Sequence, residues 1–235
     1  MTLADNANLH TFVDAVRFIG DHPGLLATKA LEQLELSAAA LGLALLIALP
    51  VGILLGHWHR GSSLAIGTSI VGRALPSLVI IAAFLTILGI GFVNNMVALA
   101  VLATGPILTN AFEGVNGVDR DVVESANGMG MTGRQILWRV ELPLAIPLLF
   151  TGIRVAAVTV VATAPIAAIA GGGGLGDIIV NQASYRLSGV LGASICVMLL
   201  SAAVYLCLVG LQVAVTPRGL RRTSLGNDLA RKELT

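Results

Sequence analysis

Residues 124–143 read ESANGMGMTGRQILWRVELP, a polar and charged segment that interrupts a very apolar chain. Of the 235 residues, 56% are hydrophobic, 11% are charged and 4% are aromatic. The mean hydropathy of +0.89 is typical of a membrane protein and not of a soluble domain. The net charge of +1 gives no reason to expect nucleic acid as a partner. The charged segment is therefore expected to be a loop between membrane spans.

The apolar runs on either side predict spanning helices, because about 20 apolar residues are needed to cross the hydrocarbon core and a spanning backbone must bond internally. Five spans are expected, at residues 36–56, from 64 or 74 to 88, 92–112, 144–170 and 190–215. The predicted fold class is therefore all-α and integral to the membrane, with about five transmembrane helices.

The basic residues are distributed unevenly between the two sides of these spans. Nine of the 14 lysines and arginines fall on one side and three on the other, while Arg73 and Arg154 lie within or at the ends of spans. The positive-inside rule then places the N-terminus outside the cell membrane and the C-terminus in the cytoplasm. The predicted parts are an extracytoplasmic segment 1–35, either an interfacial helix or a loosely ordered tail, a transmembrane domain 36–215 with a cytoplasmic loop 113–146, and a basic cytoplasmic tail 216–235.

The cytoplasmic loop carries signals for two short helices around a bend. Residues 119–127 contain helix formers and begin with acids, which suit the positive end of a helix dipole. Three glycines then interrupt the pattern: Gly128, Gly130 and Gly133. Thr132 with Gln135 fits a capping box that starts a second helix, and Pro143 is expected to end it. Apolar side chains in the loop are expected to contact a partner protein: Ala126, Met129, Met131, Ile136 and Leu137.

The spacing in this loop resembles the EAA motif of binding-protein-dependent ABC importer permeases, which is Glu-Ala-Ala, three residues, Gly, nine residues, then Ile-x-Leu-Pro. Here Ser125 replaces the first Ala and Val140 replaces Ile. The resemblance implies a type I ABC importer permease fold and a loop that docks into a groove on a separate ATPase subunit. The residues it implies for that contact are Glu124, Ser125, Ala126, Gly128, Gly130, Met131, Leu142 and Pro143. An ordinary amphipathic loop is the alternative.

Two further stretches, RALPSLVIIAAF at residues 73–84 and IAGGGGLGDII at 169–179, resemble permeases of the osmoprotectant group. With the loop, this resemblance covers about residues 70–182. It implies import of a compatible solute of the glycine betaine, choline, carnitine or proline type. A permease for methionine or another amino acid is the alternative within the class. A stand-alone channel, an ion-coupled carrier and a membrane scaffold without transport are alternatives from other classes.

Four residues are candidates for the translocation path or for anchoring a span: Arg73, Pro76, Ser77 and Arg154. Arg73 is buried and functional if the second span starts near residue 64, and it is an anchor that reaches the headgroups if the span starts at 74. Arg154 poses the same choice. For His57 and His59, packing at the membrane interface is favoured over metal binding or pH sensing. No catalytic or metal-binding set stands out in the sequence.

The run GGGGLGD is not a phosphate-binding loop, because no Gly-Lys-Ser/Thr follows it. The chain is therefore expected to be a transport subunit and not an enzyme, without a cofactor of its own, and the resemblance assigns ATP and Mg²⁺ to the partner ATPase. It also implies an extracytoplasmic substrate-binding protein, a second permease subunit, identical or related, and membrane lipid as partners. The glycines are expected to let the backbone turn at the outer mouth of the bundle.

Overall fold

The apolar runs fold as helices in the computed structural model, which describes residues 3–59, 61, 67 and 76–215. Every regular element among these residues is helical, which confirms the predicted all-α class. In chain order the elements are α1 (Leu3–Asp21), α2 (Pro23–His57), α3 (Ser77–Leu88), α4 (Phe92–Asn116), α5 (Arg120–Gly128), α6 (Gly133–Ile136), a π turn (Leu137–Glu141), α7 (Leu142–Thr163), a 3₁₀ segment (Ala164–Ala170), α8 (Gly176–Val180) and α9 (Gln182–Val215).

Four helical segments are long and apolar enough to cross a membrane: α2, α4, α9 and the continuous stretch from α6 through the 3₁₀ segment. They coincide with four of the five predicted spans. The fifth is represented by α3, a shorter apolar helix of 12 residues. As predicted, Pro76 immediately precedes this helix and Ser77 is its first residue. The two predicted starting points of that span, and Arg73 with them, lie outside the described residues.

Helix α2 begins 13 residues before the predicted start of the first span, at Pro23 instead of residue 36. Proline suits the first turn of a helix, where its missing N–H leaves no bond unmade. The 35 residues of α2 extend for about 52 Å, against a hydrocarbon core of about 30 Å. The N-terminal part, which carries Lys29, Glu32 and Glu35, therefore projects beyond the hydrocarbon. Its charges mark where the helix leaves the bilayer, and not where the helix begins.

Helix α4 lies at the centre of the bundle, and two glycines bring α2 against its backbone. A Cβ atom on Gly52 would lie 2.7 Å from Ala111 Cβ and 2.8 Å from the Leu108 carbonyl oxygen. A Cβ on Gly56 would lie 2.9 Å from the Phe112 carbonyl oxygen. The contacts advance along both helices together, so α2 and α4 run parallel. The small-xxx-small pair of the sequence thus has its partner within the same chain.

Helix α1 packs on the first part of α9. A Cβ on Gly192 would lie 3.1 Å from the Phe18 ring and 3.2 Å from the Ala15 carbonyl oxygen. The opposite side of α1 exposes apolar side chains: Phe12, Val13 and Val16. The N-terminal segment is thus a helix and not a loosely ordered tail, while its position at the membrane surface stays a prediction. Helix α9 is broken near its start at Arg186, whose φ of 56° is non-helical.

Candidate functional site

The loop between α4 and α7 begins with α5, close to the predicted residues 119–127. The Asp119 carboxylate accepts a hydrogen bond from the Asp121 N–H at 3.0 Å and caps this helix. The Ser125 hydroxyl donates to the Asp121 carbonyl at 2.6 Å. The side chains of Glu124 and Ser125 are exposed, whereas Ala126 is 2% exposed. The motif's first two residues therefore face outward, and its third faces the protein.

Gly130 ends α5 in a Schellman motif. Its N–H donates to the Asn127 carbonyl at 2.9 Å, and the Met131 N–H donates to the Ala126 carbonyl at 3.2 Å. Gly130 has a φ of +79°, a conformation that costs other residues about 1–2 kcal/mol. A Cβ here would meet nothing within 4 Å, and the same holds at Gly128, which lacks the positive φ. The predicted bend is present. It requires glycine at position 130 because of the positive φ there, and not because a side chain would clash.

Thr132 and Gln135 form the predicted capping box. The Thr132 hydroxyl accepts from the Gln135 N–H at 3.4 Å, and the Gln135 side-chain oxygen accepts from the Thr132 N–H at 2.8 Å. Together with the Schellman motif, this box makes the bend a defined structure. The prediction of apolar contact points was wrong for Ala126, Ile136 and Leu137, which are 2%, 3% and 8% exposed and pack inside the chain.

The second helix does not end at Pro143, contrary to the prediction. It continues through the π turn into α7, and Pro143 lies in the first turn of α7. In the π turn the Leu142 N–H donates to the Leu137 carbonyl, five residues back. This wider turn shifts the carbonyls relative to an α-helix, so the proline ring is accommodated without breaking the chain's helical course. Leu142 and Pro143 therefore begin the spanning helix instead of closing the loop.

Two histidines at the end of α2 reach the base of this loop. His57 Nδ1 lies 2.6 Å from Glu141 Oε2, and Glu141 is 2% exposed. His59 Nδ1 lies 2.8 Å from Asn116 Oδ1, at the end of α4. We call this part of the bundle the loop end; it comprises residues 57–59 and 116–141. The sequence marked the two histidines for interface packing but not Glu141, whose signal was a lone acid between Trp138 and an apolar run.

The opposite part of the bundle, the glycine end, comprises residues 29–33, 91–95 and 170–177. Lys29 Nζ lies 2.8 Å from Glu32 Oε2 and 2.7 Å from Asp177 Oδ2. Glu32 Oε2 also accepts from the Gly174 N–H at 3.0 Å. Gly171, Gly173 and Gly174 have positive φ, so the glycine run turns as predicted.

These contacts shift the ionisation of two groups that lie beyond the hydrocarbon. Hydrogen bonds to Asp177 and Glu32 raise the pKa of Lys29. Hydrogen bonds from Lys29 and the Gly174 N–H lower the pKa of Glu32. Both shifts favour the charged forms, so the network is fully formed at neutral pH.

Buried amides also connect the helices at the glycine end. Gln33 Nε2 donates to the Val161 carbonyl at 2.9 Å, and Asn95 Nδ2 donates to the Ala170 carbonyl at 3.1 Å. Both side chains are almost wholly buried. These bonds could not be predicted from the sequence, because each joins residues that lie far apart in the chain.

Arg154 lies in the middle of α7 and contacts α9. Its guanidinium donates to Gln212 Oε1 at 3.1 Å and lies 5.2 Å from the centre of the Tyr205 ring. The side chain is half-buried. This geometry gives Arg154 a role in joining two helices, whereas a place on the translocation path stays a prediction, as it does for Arg73, Pro76 and Ser77.

Comparison with known proteins places the whole bundle among transport proteins. Residues 18–220 match the family described as binding-protein-dependent transport system inner membrane component. The carnitine transport permease protein OpuCB of Listeria monocytogenes is 37% identical over 214 residues, which are 91% of this chain and 98% of the relative. The glycine betaine/carnitine/choline transport system permease protein OpuCB of Bacillus subtilis is 36% identical, with 87% and 94% covered.

A third relative, the choline transport system permease protein OpuBB of Bacillus subtilis, is 35% identical, with 88% of this chain and 96% of the relative covered. Among solved structures, an inward-facing MetNI methionine ABC transporter matches with a TM-score of 0.70 over 83% of this chain and 99% of that chain. At 22% identity this match bears on the fold alone. It confirms the predicted type I permease architecture.

Proposed function

This chain belongs to the family of binding-protein-dependent transport system inner membrane components, and from that premise we propose that it translocates a compatible solute of the glycine betaine, choline or carnitine type. The observation that carries the substrate class is the 35–37% identity to three permeases named for these solutes, over 87–91% of this chain. The methionine alternative rests on the fold match to the methionine transporter alone. At 22% identity this match carries no information on the substrate.

The loop end is the proposed docking site for a separate ATPase subunit, which binds ATP and Mg²⁺. The loop offers an exposed Glu124 and Ser125, and a Met129 that is 76% exposed, on a bend fixed by the Schellman motif and the capping box. Each cap satisfies backbone groups locally, so the bend is already folded before the ATPase binds. It can therefore transmit a displacement to the helices. ATP-driven closure of the ATPase dimer would then move the loop as a rigid body.

The loop end faces the cytoplasm in this proposal, and the glycine end faces outward. The excess of basic residues on the loop side of the spans supports this orientation. A substrate-binding protein would deliver the solute at the glycine end, and a second permease subunit would complete the path. Aromatic residues are 4% of the chain, whereas quaternary ammonium groups are usually held in aromatic cages. The binding protein would therefore supply the affinity, and this subunit a weakly interacting path.

The test is ATP-dependent uptake of labelled glycine betaine into proteoliposomes that contain this chain, its ATPase, any sister permease and the binding protein. We expect uptake that choline or carnitine competes away. ATP hydrolysis without betaine uptake would keep the ABC importer assignment but overturn the solute class, and labelled methionine would be the next substrate. Absence of ATP hydrolysis in the complete assembly would overturn the proposed partnership with an ATPase.

A further inference from the structure

The covalent chain connects the loop to α4 and α7 but gives it no direct connection to α2. The loop follows α4 at Gly117 and passes through the π turn into α7. Helix α2 ends at His57, far from the loop in sequence. Movement of the loop can reach α2 through α4, against whose backbone Gly52 and Gly56 pack, or directly through side-chain contacts at the loop end. The contact between His57 and Glu141 joins α2 to the π turn at 2.6 Å.

An apolar cleft lies beside the contact between His57 and Glu141. A cleft of about 510 Å³ separates the last two turns of α2 from the start of α6 and the π turn, and it is lined by apolar residues such as Ile53, Leu137 and Leu142. The cleft leaves an apolar gap on one side of this interface, while Ile53 of α2 packs against the cluster that contains Leu137 of the π turn. His57 also lines this cleft, so its hydrogen bond to Glu141 is a polar contact beside an apolar gap.

The burial of the Glu141 carboxylate would be unfavourable without a polar partner. Glu141 is 2% exposed, and a buried carboxylate costs free energy unless it is hydrogen-bonded. His57 Nδ1 and Glu141 Oε2, 2.6 Å apart, form that hydrogen bond, and the tautomer of the ring decides which of them donates. The other ring nitrogen of His57 lies 3.6 Å from the position a Cβ would take on Gly133. The ring thus lies between the start of α6 and the π turn, with 20% of the side chain exposed.

The local backbone is adapted to this geometry on both sides of the contact. The π turn inserts one residue relative to an α-helix, which rotates the following side chains by about 100° and directs Glu141 toward α2. On the other side, His59 has a φ of 51°, which is uncommon for a residue other than glycine. This strained turn places the His59 ring against Asn116, so that α2 also holds the end of α4.

We propose that the His57–Glu141 hydrogen bond is a tether that passes movement of the loop to α2, with both groups acting as positioning residues. The proposal rests on the proposed function for the loop. The loop's motif residues contact the ATPase, and the tether divides the resulting displacement between α4, α7 and α2. Loss of the tether leaves ATP hydrolysis intact and separates it from transport.

A double-mutant cycle with Glu141→Leu, His57→Leu and the double variant tests the tether, with ATP hydrolysis and solute uptake measured in the same proteoliposomes. We expect all three variants to hydrolyse ATP while the ratio of uptake to hydrolysis falls about tenfold. His57→Asn is expected to retain coupling, because its Nδ2 can donate from the place of His57 Nδ1. Glu113→Gln, which removes an exposed carboxylate near the end of α4, is the matched control.

The double variant separates a tether from a merely structural contact. An apolar pair can replace a buried polar pair without loss of stability, because no unpaired charge is left behind. If the contact serves stability alone, the double variant regains both its thermal stability and its coupling, and the proposal is overturned. If the contact is a tether, stability returns but coupling does not.

A distance measurement keeps the test independent of the transported solute. Spin labels at Val51→Cys and Val122→Cys, on a chain with Cys196→Ser and Cys207→Ser, report the separation of α2 from the loop in the complex with its ATPase. Both label sites are exposed. We expect ATP to shift one narrow distance distribution in the wild-type background and to give a broadened one with Glu141→Leu. Identical distributions would overturn the tether, whereas failure of uptake with the expected distributions would overturn only the proposed function.

Discussion

The bend of residues 119–135 is held by hydrogen bonds between near neighbours in the chain, whereas the glycine end is crossed by hydrogen bonds between residues that are far apart. Asp119 and Asp121, or Thr132 and Gln135, are two or three positions apart. Lys29 and Asp177 are separated by 148 positions, and Glu32 and Gly174 by 142. Local hydrogen bonds do not depend on the position of the segment relative to the other helices, so the bend keeps its shape when the loop moves. Long-range bonds depend on how the helices are arranged, so the glycine end responds when that arrangement changes.

The largest expected effect comes from forcing a side chain onto the left-handed backbone of the bend. Gly130→Ile is expected to destabilise the bend by about 1–2 kcal/mol and to abolish ATP-coupled uptake, because a β-branched residue strongly disfavours a φ of +79°. Hydrogen exchange of residues 126–131 and uptake in proteoliposomes measure the two effects.

The backbone control for this variant is Gly128→Ala, since a Cβ there meets nothing within 4 Å and the position needs no positive φ. Its exchange protection is expected to be unchanged or slightly higher, because alanine favours the helix over glycine. Equal loss of protection in both variants would show that the loop is not held by the conformation of Gly130.

The next effect in size concerns the capping box. Thr132→Ala is expected to destabilise the start of α6 by about 1 kcal/mol, since the Gln135 N–H loses its acceptor. Exchange of the Gln135 amide measures it, and Thr132→Ser, which keeps the hydroxyl, is the control. Loosening of the glycine end in the same variant would contradict the local character of the hydrogen bonds that hold the bend.

A smaller effect is expected from Lys29→Met at the glycine end. The partner carboxylates of Glu32 and Asp177 are 41% and 39% exposed, and ion pairs at such exposure contribute about 0–1 kcal/mol. Thermal unfolding should shift little, while limited proteolysis should show a more accessible glycine run. Lys29→Arg keeps the charge and serves as the control; an undisturbed glycine run in Lys29→Met would mean that the ion pairs do not hold it.

The smallest effect is a pH dependence confined to the same network. The lowered pKa of Glu32 means that its contribution is present above the unfolded pKa and is lost as pH falls through the lower folded value. The protection factor of the Gly174 amide is therefore expected to be constant from neutral pH downward and to fall below about pH 4. The Thr132 amide is the control, because its acceptor is the side-chain oxygen of Gln135, which does not titrate. Its protection factor is expected to stay constant over the same pH range, and a parallel fall would contradict the assignment to Glu32.

The local features of this chain could be predicted from the sequence, and the long-range ones could not. Apolar length gave the spans, and the three-residue spacing of Thr132 and Gln135 gave the capping box, because each depends on adjacent residues. The end at Pro143 was wrong, since this proline lies in the first turn of α7, directly after the π turn, and the chain stays helical there. Nothing local in the sequence pairs His57 with Glu141, which lie 84 positions apart.

The contact of Gly52 and Gly56 with the carbonyl oxygens of α4 has a consequence for temperature. In a bilayer the lipid tails are as apolar as the helices, so this seam is held by close van der Waals packing and not by exclusion of water. Hydrophobic stabilisation weakens on cooling, but close packing does not depend on it. Helices α2 and α4 therefore form a joint that is expected to keep its geometry in the cold, when the water-facing apolar contacts of the loop end are weakened.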